Sequence, residues 1–338
     1  MSEGAKMKAH ALYGFSAKLA PFAELSAQES VALLKSWGAD SIFGGYDDPN
    51  FVEAAHAVGL RVMAEFGCFV GEKWWESLPE SHPIMADGQP MPAQEWYAGV
   101  TPTIPAIREE LLVKLAALVR EKELDGVWLD FIRWPARWET PQPKLIQTSF
   151  DAHTMALFLA DTGLSAPQSL LSLADWILHE HESLWTDWKC AQIVSFVREA
   201  AEVVRREAKR KCLLGVFSVP WRLADYGGAM RRIVAQDLKA LAPYVDVFSP
   251  MVYHRMCGQP VGWIAAVTEE AHQLSGRPIW PIIQTMSEPN ELNAAELASA
   301  MDVALEAPGS AGVILFTLKG LIEEDKLETM RTRFRAGK

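Results

Sequence analysis

Short apolar runs rich in Val, Ile and Phe recur along the chain, and each is followed by a stretch whose apolar positions fall three and four apart. The runs begin at His10 (HALYGFS), Ala39 (ADSIFGG), Arg61 (RVMAEFGCF) and Gly126 (GVWLDFI). Four more begin at Leu213 (LLGVFSVP), Tyr244 (YVDVFSPMVY), Ile279 (IWPIIQT) and Gly312 (GVILFTL). A bounded apolar run fits a strand buried on both faces, and the three–four spacing fits a helix with one buried side. Ser26 and Glu29 form a capping-box pattern ahead of SVALLKSW. Pro105 opens IREELLVKLAALVREKEL, and the stretch from Asp187 to Lys211 ends in basic residues that suit a helix C-terminus. Further helical segments are expected near 150–160 and 168–185. Eight strand–helix units in alternation predict an α/β fold with a parallel sheet. Eight is also the number that closes a (β/α)8 TIM barrel.

The intervals between strands sharpen that reading. Most match the pitch of a bare βα unit, but those after the third and fourth strands are far longer. A barrel needs ~250 residues, so the surplus of this 338-residue chain collects in two insertions, about 70–104 and 134–190. Both follow strand C-terminal ends, the face on which barrel enzymes build their sites. No linker, low-complexity tract or charge block divides the chain, so residues 1–338 read as one barrel.

Composition narrows the function classes. With 49% hydrophobic and 22% charged residues the chain can bury a large core. A net charge of −11 argues against nucleic acid or an anionic membrane as partner. No apolar run is long enough to span a bilayer, and the opening MSEGAKMKAHALYG lacks a signal-peptide core. The four cysteines are widely spaced, which favours reduced thiols and a cytoplasmic location. Oligomeric state is not legible.

Candidate chemistry lies on the third and fourth strands. Outward barrel positions pack under apolar helix faces, where an unpaired carboxylate is costly. Glu65 in RVMAEFGCF and Asp130 in GVWLDFI are therefore expected to point into the bore. Neighbouring strands lie about 4.8 Å apart, so the two carboxylates can flank one scissile glycosidic bond, as glycoside hydrolysis requires. The competing reading is structural, with Asp130 paired to Arg133 and Glu65 capping a loop. Glu139, in RWPARWE, is the substitute for the second carboxylate.

The stretch DGVWLDFIRWP, from Asp125 to Pro135, resembles the fourth-strand signature (DGIHFDYIRYP type) of family-ten-like glycosyl hydrolase barrels. TPTIPAIREELL and AHAVGLRVMAEF resemble the segments before it in those families, and APYVDVFSPMVYH resembles their sixth strand. The resemblance covers about residues 54–255 and implies that Asp130 is a catalytic carboxylate and Arg133 a positioning cation. Met63 and Glu65 stand where those families often carry His and Trp. A more distant similarity to chitinase-like hydrolases keeps Asp125 and Asp130 but has Ile132 at the acid/base glutamate, which disfavours substrate-assisted chemistry.

Six of the thirteen tryptophans fall in loops expected at one face: Trp74, Trp75, Trp96, Trp134, Trp138 and Trp221. Indole planes stack on the C–H faces of sugar rings, so these are expected platforms for an oligosaccharide or glycoside. Tyr253, His254 and Gln284, at strand ends, complete the expected lining. No HxH lies in the first strand, no HExxH is present, His179 and His181 are two apart and so not on one helical face, and no GxGxxG follows the first strand, so no metal or cofactor is expected. The sequence predicts a metal-independent O-glycosyl hydrolase. The alternatives are a saccharide-binding barrel without turnover, or a barrel isomerase or lyase with Glu65 as base.

Overall fold

A computed structural model of the protein describes residues 8–167 and 172–336, so the first residues of the helical segment expected from 168 lie outside it. Eight parallel strands form the barrel: β1 (Ala9–Phe15), β2 (Ser41–Gly44), β3 (Arg61–Gly67), β4 (Gly126–Asp130), β5 (Leu213–Ser218), β6 (Val247–Pro250), β7 (Ile282–Gln284) and β8 (Gly312–Phe316). Each strand pairs with its sequence neighbour, and β1 pairs with β8. The parallel bridges Phe248 to Ile279 and Met251 to Ile282 close the ring between β6 and β7. The fold is the (β/α)8 barrel that the strand rhythm predicts.

Strands β6 and β7 each start three residues after their apolar runs begin. Tyr244 is spent in a turn, its N–H donating to Leu241 O, so β6 begins at Val247. In the seventh run Pro281 has no N–H to give the ladder, and only Ile282–Gln284 forms regular strand. Helix starts follow the expected chemistry. Ser26 and Glu29 make a reciprocal capping box on Ala27–Ser36, Asp48 caps Pro49–Ala57, and Pro105 stands at the first turn of Pro105–Glu121.

Large side chains fill the bore beneath the mouth. Trp128 lies across it, its indole N–H donating to Ser249 Oγ at 3.0 Å, edge-on to Phe43 and stacked with Trp280. That ring fits only because Gly215 has no side chain; a methyl there would overlap the indole. Gly126 yields space to the same ring and to Met63.

The two insertions are built against each other. The first holds the short helix Glu72–Ser77 and small bridges, including Met85 to Thr148 in the second. Thr101 Oγ1 with Ser149 Oγ (3.1 Å) and Thr103 Oγ1 with Thr154 Oγ1 (2.7 Å) also join them. The second carries helices Ala152–Thr162 and Leu173–Glu180. The crossover helix Glu182–Glu207 begins inside the span expected for this insertion. Trp134, Phe158, Trp185 and Trp188 form one aromatic cluster that fixes the insertion to that helix.

Candidate functional site

The register of β3 and β4 sets the site. Glu65 pairs with Trp128, and Gly67 with Asp130. Alternation along a strand then gives Glu65 the bore-facing side of Trp128, with Asp130 one step nearer the mouth. At Phe131 the backbone turns into the left-handed region, with φ of 51°. The turn brings the Phe131 N–H back onto Asp130 Oδ1 at 2.7 Å. A non-glycine residue held there is uncommon and is frequent at functional sites.

Glu65 and Asp130 meet directly, through a hydrogen bond between their side chains. Two carboxylates in contact cannot both ionise cheaply, so they hold a proton between them. Burial, the Asp130 charge and that hydrogen bond push Glu65 up to about 8. Burial raises Asp130 to about 6, against the opposing pull of Arg133, the Phe131 N–H and Glu65. The Arg133 guanidinium and the Phe131 N–H favour the negative charge on Asp130, and the larger rise of Glu65 favours the proton there.

Arg133 is the fixed cation beneath this pair. Its side chain is 1% exposed, with Nη1 4.0 Å from Asp130 Oδ1. The guanidinium carbon lies 4.9 Å from the Phe131 ring centroid and 5.4 Å from that of Tyr97. Nη2 donates to Ala136 O, whereas Nε and Nη1 are buried without a hydrogen-bond partner among the described residues. The charge is thus sequestered, and Asp130 is the anion it faces.

Glu139 belongs to the same neighbourhood. Its carboxylate accepts from the Trp138 N–H at 3.2 Å, and its charge adds to the forces raising Asp130, Tyr97 and Tyr253. An aromatic row runs along the mouth: Trp138 stacks on Tyr253 at 5.6 Å, Tyr253 on Phe316 at 5.2 Å, and Phe316 meets Tyr13 at 4.9 Å. Tyr13, Phe131 and Phe316 are partly exposed, as are Glu65, Asp130 and Glu139, so the pair is reachable from the mouth.

Several expected lining residues are buried instead. Trp134 has no exposed surface, and its indole donates to Thr148 O at 3.1 Å within the aromatic cluster. Trp138 is equally enclosed against Tyr253. Trp74 packs in the core, and Trp221 is 5% exposed with its ring against Tyr226. Arg133 is likewise out of reach of a ligand. His254 is committed to Glu296 (3.0 Å), and the Gln284 amide to Met256 N–H and Met286 O. Tyr253, 5% exposed, offers no open face. Burial of indole in a large molecule releases so much apolar surface from water that a loop position does not keep it outside. Trp75 is half-buried, stacked on His82 at 3.9 Å and donating to Gly99 O.

Trp96 is the exception. It is 57% exposed and lies edge-on to both Tyr97 and Phe131, 6.2 Å from the latter. An open indole therefore stands over the residue whose N–H holds Asp130. Tyr97, Phe131, Phe316 and Tyr13 are mouth residues that the sequence pattern does not single out. The only hint for Tyr97 is its adjacency to Trp96; its hydroxyl accepts the Ala136 N–H at 3.2 Å.

No protein-family model and no curated protein matches the sequence. Solved structures do match in fold. The glycoside hydrolase domain of PgaB (BpsB) from Bordetella bronchiseptica superposes with a TM-score of 0.70 at 11% identity, covering 97% of this chain and 98% of that one. A beta-galactosidase from the psychrophilic Marinomonas ef1 gives 0.63 at 11% identity over 91% of this chain and 54% of its own. An alpha-L-fucosidase (isoenzyme 2) from Paenibacillus thiaminolyticus gives 0.60 at 13% identity, over 98% of this chain and 49% of that one. The chain thus spans the whole of the first neighbour and about half of the other two. At these identities the likeness is one of fold.

Proposed function

We propose that the protein is a glycoside hydrolase whose acid and charge-stabilising groups are Glu65 and Asp130. The observation that carries this reading is the pair of carboxyls on neighbouring strands β3 and β4, set together by their register, with burial and mutual repulsion pushing Glu65 up further than Asp130. That division matches what cleavage of a glycosidic bond asks for. Glu65 gives its proton to the leaving oxygen as the bond from the anomeric carbon breaks. Asp130, held by the Phe131 N–H and faced by Arg133, meets the positive charge on the sugar. Water then adds to that carbon and returns a proton to Glu65. The glycosidic oxygen has to replace Asp130 as acceptor of the Glu65 proton, so the pair must part as substrate enters. Paired glycosidase carboxyls stand about 5 Å apart or more. Trp96 is the open platform for a ring of the substrate, and Glu139 is the nearby third carboxylate. The shared barrel of three glycosidase neighbours supports this reading.

The test is turnover of a broad panel of aryl glycosides and oligosaccharides by the native protein and by Asp130→Asn. Turnover is expected for the native chain and its loss for the variant, with binding largely kept. Equal turnover by both would remove Asp130 from the reaction. Ligand binding with no turnover by the native protein would leave a saccharide-binding barrel.

A further inference from the structure

Beside the mouth, between the loops that follow β5 and β6, lies a second concavity that none of the residues above explains. It has a volume of about 210 Å³ and is bordered by Trp221, Arg222, Asp225, Tyr226, Cys257 and Trp263. Its walls are built rather than incidental. Arg222 holds Asp225 through two side-chain bonds, Nη2 to Oδ1 at 3.0 Å and Nε to Oδ2 at 3.3 Å, and through its own N–H at 2.9 Å. That clasp shapes a turn in which Tyr226 takes a left-handed backbone (φ 52°, ψ 37°) ahead of Gly227 and Gly228. The turn sets the Tyr226 ring against Trp221, with centroids 5.3 Å apart and planes at 60°. Tyr226 remains 36% exposed.

The concavity opens at the same end of the barrel as the carboxylate pair, its lining following β5 and β6 as Glu65 and Asp130 end β3 and β4. Cys257 closes one side, and its N–H donates to Tyr253 O at 2.9 Å, four residues back along the loop. The Glu139 charge reaches both Cys257 and Tyr253. Tyr253, in turn, feels Asp130 and Glu65.

We infer that this concavity is a second sugar subsite, taking one pyranose ring of the same oligosaccharide whose bond lies over Glu65 and Asp130. The inference rests on the glycosidase reading for that bond. The open Tyr226 face, backed by the buried Trp221 ring, offers a plane for the C–H side of a ring. The rim ion pair offers a charged donor and a charged acceptor side by side, which suits neighbouring hydroxyls. Sites for larger ligands measure about 300 Å³ upward, so this volume selects a single ring rather than a branched group.

The experiment compares the native protein, Tyr226→Ala and Arg222→Ala on tetrasaccharides (β-1,4-galactan, β-1,4-glucan and β-1,4-N-acetylglucosamine chains) and on the matching 4-nitrophenyl monosaccharides. The ratio of kcat/KM for tetrasaccharide over monosaccharide is expected to fall about tenfold in each variant, the loss of one ring contact. Calorimetry with Asp130→Asn, alone and combined with Tyr226→Ala, gives tetrasaccharide binding without turnover, and Kd is expected to weaken by a similar factor. An unchanged ratio together with an unchanged Kd overturns the subsite, as does the absence of any tetrasaccharide binding to Asp130→Asn. Loss of binding in the double variant, in a protein that turns nothing over, upholds the subsite and defeats the glycosidase reading alone.

Discussion

Asp130 and Glu65 show how the same side-chain chemistry takes two roles through its surroundings. Both lose water, but only Asp130 gains a backbone N–H at 2.7 Å and a guanidinium at 4.0 Å. The pair therefore titrates in two steps, about 6 for Asp130 and about 8 for Glu65. Turnover needs the first ionised and the second protonated, so kcat/KM is expected to peak between these values. It should fall below about 6 as Asp130 takes a proton and above about 8 as Glu65 loses its own. A pH–rate profile flat from 5 to 9 would contradict the assignment. Arg133 acts through Asp130: Arg133→Met should move the acid limb to higher pH, and a profile whose acid limb stays put would reduce Arg133 to packing. Stability carries the opposite mark of Glu65. Its folded value exceeds the ordinary 4.5, so the native state binds the extra proton and loses stability as pH rises from about 4.5 to about 8. Glu65→Gln removes that penalty, and its Tm should exceed that of the native protein at pH 8.5 by about 2 °C, while the gap closes toward pH 4. Calorimetric melts at the two pH values check this.

At the scale of elements, strands β4 and β5 are held in place by one ring. Trp128 can cross the bore because its neighbours Gly126 and Gly215 give it room, and its N–H is satisfied by Ser249 on β6. Gly215→Ala forces a methyl into the indole and should cost about 1–3 kcal/mol, the usual penalty of overpacking. Chemical denaturation would show it as a lower midpoint at unchanged slope; an unaltered midpoint would mean the ring lies elsewhere. Ser26 provides a contrast at an exposed site. Its capping box holds one helix end, so Ser26→Ala should cost about 1 kcal/mol and leave turnover alone.

The whole molecule is a closed barrel carrying two insertions that brace each other over its mouth. Trp185 fixes the second of them to the long crossover helix, touching Trp134, Phe150, Phe158 and Trp188. Trp185→Ala should cost about 3–5 kcal/mol, spent in loosening the second insertion before the barrel. Brief proteolysis is expected to cut that variant first between residues 135 and 181, leaving the strands protected. Cuts scattered evenly along the chain would show that insertion and barrel unfold together. At this scale the formal charge of −11 surrounds a buried cation, Arg133, and a buried lysine. Lys189 has no exposed surface and donates to Gln147 Oε1 at 2.8 Å and Arg232 O at 2.7 Å. Burial lowers its pKa to about 7, and its bonds tie the second insertion to the loop beyond β5.

The barrel was legible in the chain because its causes are local and repetitive. Apolar runs, helix periodicity, capping residues and prolines each act within a few positions, and eight repeats of one unit close in one way. The bore-facing placement of Glu65 and Asp130 was legible for a related reason: a carboxylate on a barrel strand has few other places to go. Their direct contact was not, because it depends on register between strands separated by an insertion and on the left-handed turn at Phe131. Nor could the sequence say which tryptophans stay open. Trp134 and Trp96 read alike as loop indoles, yet one is sealed by helices from distant parts of the chain and the other stands free. Alternation and capping are settled by near neighbours; exposure and proton sharing are settled by whatever the folded chain brings from afar.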